Sequence, residues 1–251
     1  MKVLSPLHFD AVADAAMART RAPAPMREGS LVRVVGLTLE ARGVHAPLGA
    51  VCEVVGDDGQ RVEAEVVGFQ EQTVYLMPFG ETKGIGPGSR VRVMEPTAHA
   101  KLGPELLGRV VGPRGEPLDG RPAPDCKTVL GLDGLPLNAM ERGPIHDVLD
   151  VGVKAINGML TMGKGQRIGL IAGSGVGKSS LLGMLTRYTK ADLVVIGLIG
   201  ERGREVQSFI QESLGPEGLA RSVVVAAPAN VSAILRLQAV QYPPLISEYF
   251  R

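Results

Sequence analysis

Ile168-Gly-Leu-Ile-Ala-Gly-Ser-Gly-Val-Gly-Lys-Ser-Ser-Leu-Leu182 decides how the rest of the chain is read. The apolar run from Ile168 predicts a buried strand. Gly173, Gly175 and Gly177 predict a tight turn, and Lys178-Ser179 open a run that predicts a helix. Strand, glycine turn, Lys-Ser and helix make up a phosphate-binding loop. Its backbone N–H groups form an anion nest at a helix N-terminus, and glycines let a triphosphate approach that backbone. The pattern assigns nucleotide contact to Ala172, Gly173, Ser174, Gly175, Val176, Gly177, Lys178, Ser179 and Ser180. Lys178 is expected to reach the outer phosphates, and the Ser179 hydroxyl to ligate Mg²⁺. Ala172 stands where the pattern usually has its first glycine; that position packs and need not touch phosphate.

Working outward, 251 residues allow one or two domains. Hydrophobic residues at 45% and charged residues at 21% are ordinary for a globular protein. The 33 glycines and 18 prolines therefore punctuate turns in a folded chain. A net charge of +1 offers no electrostatic case for nucleic acid or an acidic membrane surface. No apolar run reaches spanning length, no signal-peptide core opens the chain, and Asp10 and Asp14 speak against a transit peptide. Cys52 and Cys126 are isolated, which predicts reduced thiols in a cytoplasmic protein and no metal site. His8, His45, His99 and His146 are scattered singly and suggest structural or surface roles.

Residues 1–27 are expected to hold a weakly amphipathic helix, capped by Ser5, and a stiff linker, Arg21-Ala-Pro-Ala-Pro25. A partner-docking tail and a frayed terminus remain open alternatives. Residues 28–95 change to a period of two. Arg61-Val-Glu-Ala-Glu-Val66 is a strand with one wet face, and Asp58-Gly59 is the hairpin turn between Val51–Val55 and Arg61–Val67. Thr73–Met77 and Arg90–Val93 add two more strands, giving a small closed or sandwich β-domain. Phe69, Tyr75 and Phe79 lack interleaved basic residues, so a base-stacking platform is disfavoured. Residues 96–158 read as an irregular, turn-rich connection. Residues 159–251 read as an α/β core. Asp192–Ile199 is expected as a fully buried strand, Ser222–Pro228 as another buried strand, and Val206–Leu214 as a helix. The alternation predicts a parallel sheet with its ligand crevice at the C-terminal strand ends.

Glu201 and Arg202 follow one of those strand ends, as the glycine loop follows another. Phosphoryl transfer to water needs a group that orients or deprotonates the water and positive charge near the transferred phosphate. Glu201 suits the first role and Arg202 the second. Four charges within Glu201–Glu205 would equally suit a solvated loop, and chemistry alone leaves both readings open.

Four segments together resemble the rotary-ATPase catalytic-subunit superfamily: Leu149-Asp-Val-Gly-Val-Lys-Ala-Ile-Asn157, Gly165-Gln-Arg167, Ala172–Ser179 and Gly200-Glu-Arg-Gly-Arg-Glu-Val206. Gly203 looks like the type III secretion branch, where the synthase β subunit usually has Thr. Leu182-Gly-Met-Leu-Thr-Arg-Tyr188, Ala227-Pro-Ala229, Leu31-Val-Arg-Val-Val-Gly36 and Leu118-Asp-Gly120 are most similar to the flagellar export ATPase. The resemblance implies an N-terminal small β-barrel and an α/β RecA-like P-loop core. It also implies a homohexamer with ATP and Mg²⁺ at subunit interfaces. By the same resemblance Lys178, Glu201 and Arg202 are the catalytic residues and Ser179 the metal ligand. The tail would meet an export-apparatus regulator, exported proteins or their chaperones would be partners, and membrane association would be peripheral, through the export apparatus alone.

In the family, a strand bearing a Mg²⁺-coordinating aspartate, a trans arginine, an adenine-stacking aromatic and a helical domain follow the segment similar to Ala227–Arg251. The chain is thus expected to be C-terminally truncated, with an incomplete parallel sheet. Asn230 stands where the family usually has Asp. Tyr242-Pro243-Pro244-Leu245 is expected to end a helix near Gln241. A nucleotide-binding remnant with little activity, a structural subunit of a ring made by full-length copies, an injectisome ATPase and a rotary ATP synthase subunit are the alternatives. A hexameric RNA translocase is disfavoured by the charge and the missing aromatic platform.

Overall fold

In the computed structural model the described residues are 28–134, 140, 143–173 and 175–251. The expected N-terminal helix, the Pro-rich linker and Ser174 lie outside them. Six antiparallel strands form a closed barrel: β1 (Glu28–Val35), β2 (Thr38–Arg42), β3 (Val51–Val55), β4 (Arg61–Gln70), β5 (Thr73–Pro78) and β6 (Arg90–Glu95). Their order around the barrel is β1-β2-β5-β4-β3-β6. Closure removes every edge from this sheet, which an open six-stranded sheet could not do. Alternation directs Leu31, Leu39, Val54, Val66, Leu76 and Val91 into one sealed interior. Asp58-Gly59 makes the β3–β4 turn: Gly56 N–H donates to Gln60 O at 2.8 Å, and Gly59 has φ +81°. Sequence reading did not single out β2, whose Thr38-Leu-Glu-Ala-Arg42 is too short and too charged to stand out. Because the barrel has a complete core of its own, the 28–95 fragment is expected to give a β-type circular dichroism spectrum. A mainly helical spectrum would refute its independence.

The segment after the barrel is more ordered than its turn-rich composition suggested. It carries β7 (His99–Leu102), a 3-10 turn at Pro104–Leu106, β8 (Arg109–Val111), β9 (Thr128–Gly131) and α1 (Lys154–Met159). β7 pairs with β9, and β8 joins the core sheet beside β11. Three-residue strands give no period to read. β8 is held by its parallel partner rather than by a sequence signal of its own.

The core sheet is parallel, in the order β10 (Val194–Ile199), β11 (Ser222–Ala227), β8. Helices cover both faces. On one, Val111, Val223, Val225 and Ala227 meet Ala239, Tyr242, Leu245 and Ile246 of α5 (Ala233–Phe250). On the other, Val110, Val224, Ala226 and Leu198 meet Val206, Phe209 and Leu214. Those last three lie on α3 (Gly203–Ser208) and the π-turn Phe209–Leu214 that continues it, with α4 (Gly215–Ala220) beyond. β11 is buried along its whole length. β10, expected to be fully buried, is not: only Leu198 is, because among the described residues the strand has a neighbour on one side alone.

Two further expectations are corrected. Ile168–Ala172 forms no strand; Ile168, Leu170 and Ile171 are 50%, 41% and 97% exposed. An apolar run becomes a strand only when a neighbour accepts its ladder, and among the described residues none does. The prolines do not end α5, which runs unbroken through Pro243 and Pro244 to Phe250. Two missing donors and ring crowding cost helix stability. The buried stripe Ile234, Gln238, Ala239, Tyr242, Leu245, Ile246 offsets that cost. Pro243 itself rests on Gly197 of β10, where even a single added carbon would stand 3.2 Å from its Cγ. The Tyr242 hydroxyl donates to Lys101 O at 2.7 Å.

Barrel and core are joined by polar contacts. Arg114 pairs with Glu63 of β4 and stacks over Phe79, 4.8 Å from its centroid. Gln238 Nε2 donates to Glu65 Oε2 at 2.5 Å. Burial raises the Glu65 carboxyl above its ordinary value, and the Gln238 bond partly counters this. No helix among the described residues is long and apolar enough to cross a membrane.

Candidate nucleotide site

The glycine loop turns at Gly175 (φ +79°) and Gly177 (φ +96°), left-handed conformations that side chains resist. Gly177 is the N-cap of α2 (Lys178–Tyr188) and provides no side-chain cap. The first intrahelical bond is Leu181 N–H to Gly177 O at 2.9 Å. The N–H groups of Lys178, Ser179 and Ser180 therefore precede the helical ladder and are available to an anion at the positive end of the helix. A carbon built at Gly173, Gly175 or Gly177 would meet nothing within 4 Å, so the turn is open on its ligand side.

A cavity of about 510 Å³ lies over this turn, lined by Ala172, Gly173, Gly175, Gly177, Lys178, Ser179, Ser180, Glu201 and Glu205. Glu201 comes from the loop that ends β10, where Gly200 N–H bonds Ala227 O at 2.8 Å and Ala229 N–H bonds Glu201 O at 3.0 Å. These bonds fix the strand end across the sheet. Lys178 Nζ stands 3.8 Å from Glu201 Oε1, with the two side chains 41% and 39% exposed. A pair this open is weak and screened, so either group can exchange the other for a ligand at little cost.

Most of the residues expected from sequence thus converge on one cavity. Val176 and Arg202 do not line it: Val176 is 67% exposed, and Arg202 is the exposed N-cap of α3. Glu205 does line it, and sequence reading missed it. The signal was there, since Glu205 follows Glu201 by four residues across a helix start. Among the described residues no group of three metal-binding side chains is gathered. A divalent ion here would rest on the Ser179 hydroxyl, phosphate oxygens and water, a hard-oxygen set that suits Mg²⁺. The open N–H row, Lys178 and that hydroxyl fit a Mg-nucleotide.

Comparison with known proteins places this geometry. Residues 152–251 match the nucleotide-binding domain of the ATP synthase alpha/beta family, and residues 31–94 match the family's beta-barrel domain. The flagellum-specific ATP synthases of Pseudomonas aeruginosa and Salmonella typhimurium are 53% and 54% identical to this chain over 90% and 91% of it. A type 3 secretion system ATPase of Xanthomonas euvesicatoria is 45% identical over 90%. The chain spans about half the length of these relatives, 51%, 52% and 51%. Among solved structures, the assembled ATPase EscN of the enteropathogenic E. coli type III secretion system superposes with a TM-score of 0.81 at 36% identity. That match covers 89% of this chain and 53% of EscN. The two matched segments are the barrel and the α/β core described above, and the chain belongs to the ATP synthase alpha/beta family.

Proposed function

We propose that this chain is the nucleotide-binding part of an ATP-hydrolysing subunit that energises flagellar, type III protein export. The observation that supports it most is the convergence of Lys178 and Glu201 over an uncapped helix N-terminus. Bound Mg-ATP would supply the transferable phosphoryl group together with a cation that offsets its negative charge. The backbone N–H groups of Gly173–Ser180 would hold the phosphates, Lys178 would neutralise the outer ones, and the Ser179 hydroxyl would orient the cation. Glu201 would position a water molecule and accept its proton. Arg202, one residue beyond, would add positive charge near the transferred group. Higher identity to the flagellum-specific relatives than to the Xanthomonas secretion ATPase favours the flagellar reading over the injectisome one. Gly203 disfavours a rotary synthase.

EscN is known as an assembled ATPase and in complex with its central stalk, EscO. By analogy this subunit would work in a homohexameric ring in the cytoplasm, with partner subunits completing each site. Its further contacts would be a stalk or regulator and export substrates. The unpaired Ile168–Ala172 segment supports a second reading, a nucleotide-binding remnant with little activity of its own. Nucleotide titration of the wild type and Lys178→Ala tests the shared premise. Loss of one charge-assisted contact of about 1.5–3 kcal/mol should weaken Mg-ADP binding by one to two orders of magnitude. Equal affinities would refute nucleotide binding at this loop.

A further inference from the structure

The motif Leu149–Asn157 contributes nothing to the cavity lining, yet it is a dense polar knot. Asp150 Oδ1 accepts the Gly152 N–H at 2.9 Å and Asn157 Nδ2 at 2.6 Å. Asp150 Oδ2 lies 3.0 Å from Lys190 Nζ. Asn157 Oδ1 in turn accepts the Val151 N–H at 3.1 Å. The backbone carbonyl of Asp150 accepts Lys190 N–H at 2.9 Å and the Thr189 hydroxyl at 3.5 Å. Thr189 and Lys190 directly follow α2, the helix whose first residue is Lys178.

The knot also grips α2 by shape. Gly152 (φ +71°) presses on its last turn: an added carbon would stand 2.2 Å from Tyr188 Cβ and 2.6 Å from Tyr188 O. Val151, Val153 and Ile156 pack with Leu181 and Leu185 of α2. The chain entering the glycine loop is tied to the same segment, by Leu149 N–H to Met162 O at 2.7 Å and Lys164 N–H to Asp147 O at 2.8 Å. On the sheet side, Arg221 donates to Thr189 O at 3.0 Å and to Ala191 O. Among the described residues the glycine turn itself has no comparable support: Gly173, Gly175 and Gly177 face open space, and Ile168–Ala172 carries no ladder. Its geometry must therefore be set from its two ends.

We propose that Asp150 is a positioning residue for the phosphate loop, clamping the far end of α2 and the loop's entry segment to one another. The proposal rests on the nucleotide reading above for its consequence in binding, though not for the clamp itself. Its Gly152, Lys190 and Asn157 partners hold the Asp150 carboxyl down to about 2, so it is ionised at any ordinary working pH. The ion pair to Lys190 is exposed, 78% on the lysine side, and contributes little. The bonds to Gly152 and Asn157 carry the clamp. Asp150→Asn keeps an oxygen for both and should behave nearly as wild type, as should Lys190→Met. Asp150→Ala removes the hub.

The test is hydrogen exchange of the unliganded 251-residue chain, followed by Mg-ADP titration below the melting range. In Asp150→Ala the hydrogen-bonded α2 amides, from Leu181 to Thr189, should exchange about tenfold faster while β11 amides keep their rate. Mg-ADP affinity should fall roughly three- to tenfold. Asp150→Asn should restore most of both. Unchanged α2 exchange in Asp150→Ala would overturn the proposal. So would equal acceleration throughout the core, the mark of a merely structural role. A wild type that takes up no Mg-ADP would remove the nucleotide reading, and the exchange comparison would still decide the clamp.

Discussion

Steady-state ATP turnover by the 251-residue chain alone is expected below about 1 s⁻¹, the low end of ordinary enzymes, and Glu201→Gln is expected to abolish what there is. Glu201 is the carboxylate nearest Lys178, at 3.8 Å. Its amide replacement keeps the shape but cannot take a proton, a change worth typically 10²–10⁴ in rate. The low starting rate follows from how little else is fixed around the cavity. Catalysis of phosphoryl transfer is chiefly positioning and electrostatic stabilisation by groups held in place beforehand. Lys178 is the one basic side chain among the described lining residues, and Arg202 is exposed and does not line the cavity. An arginine delivered to such a site contributes roughly 10³–10⁵ in other phosphate-loop enzymes. Adding a full-length relative should therefore raise the rate if partner subunits supply the missing charge. Turnover of about 1 s⁻¹ or more by the chain alone, still abolished by Glu201→Gln, would show that the residues present suffice.

Arg109→Met is expected to cost about 1–3 kcal/mol at neutral pH, by taking the main partner from a largely buried carboxylate that keeps only Arg121, at 3.5 Å, as a counter-charge. Arg109, only 6% exposed, donates to Asp119 through Nε at 2.6 Å and Nη2 at 3.0 Å. Its Nη2 also donates to Pro122 O at 2.7 Å. Asp119 further accepts the N–H groups of Val110 and Arg121 at 3.4 and 3.1 Å. This cluster fixes β8 at the edge of the core sheet. The Arg109 guanidinium is the main reason the Asp119 carboxyl is lowered from 3.8 to about 2. A folded-state value below the unfolded one stabilises above the unfolded value. That contribution is present above about pH 4 and fades as pH falls towards 2. Urea unfolding should show wild type and Arg109→Met far apart at pH 7, and the gap narrowing near pH 2. A constant gap, or none at pH 7, would refute the assignment.

The sequence by itself determined the local chemistry. Alternation and a Asp58-Gly59 turn specify barrel strands because side-chain period and turn geometry are properties of a few neighbouring residues. Lys178, Ser179 and the glycines were legible as a candidate anion site for the same reason: loop and helix start are contiguous. Glu201 was legible as a strand-end carboxylate, but its approach to Lys178 at 3.8 Å was set by the tertiary fold, since among the described residues no strand leads into the glycine loop.

Only the tertiary structure decided what depends on a distant partner. Ile168–Ala172 has the composition of a buried strand and is none, because a ladder needs a neighbour that local sequence does not provide. Pro243 and Pro244 break helices by local rule and sit inside one, because burial of Tyr242, Leu245 and Ile246 outweighs two lost donors. Leu118-Asp-Gly120 reads as a turn, yet Asp119 holds a buried arginine ten residues earlier in the chain. Leu149–Asn157 reads as a family signature without a task, and the fold turns it into the clamp behind the phosphate loop. Long-range hydrogen bonds and packing, which have no period along the chain, account for each of these differences.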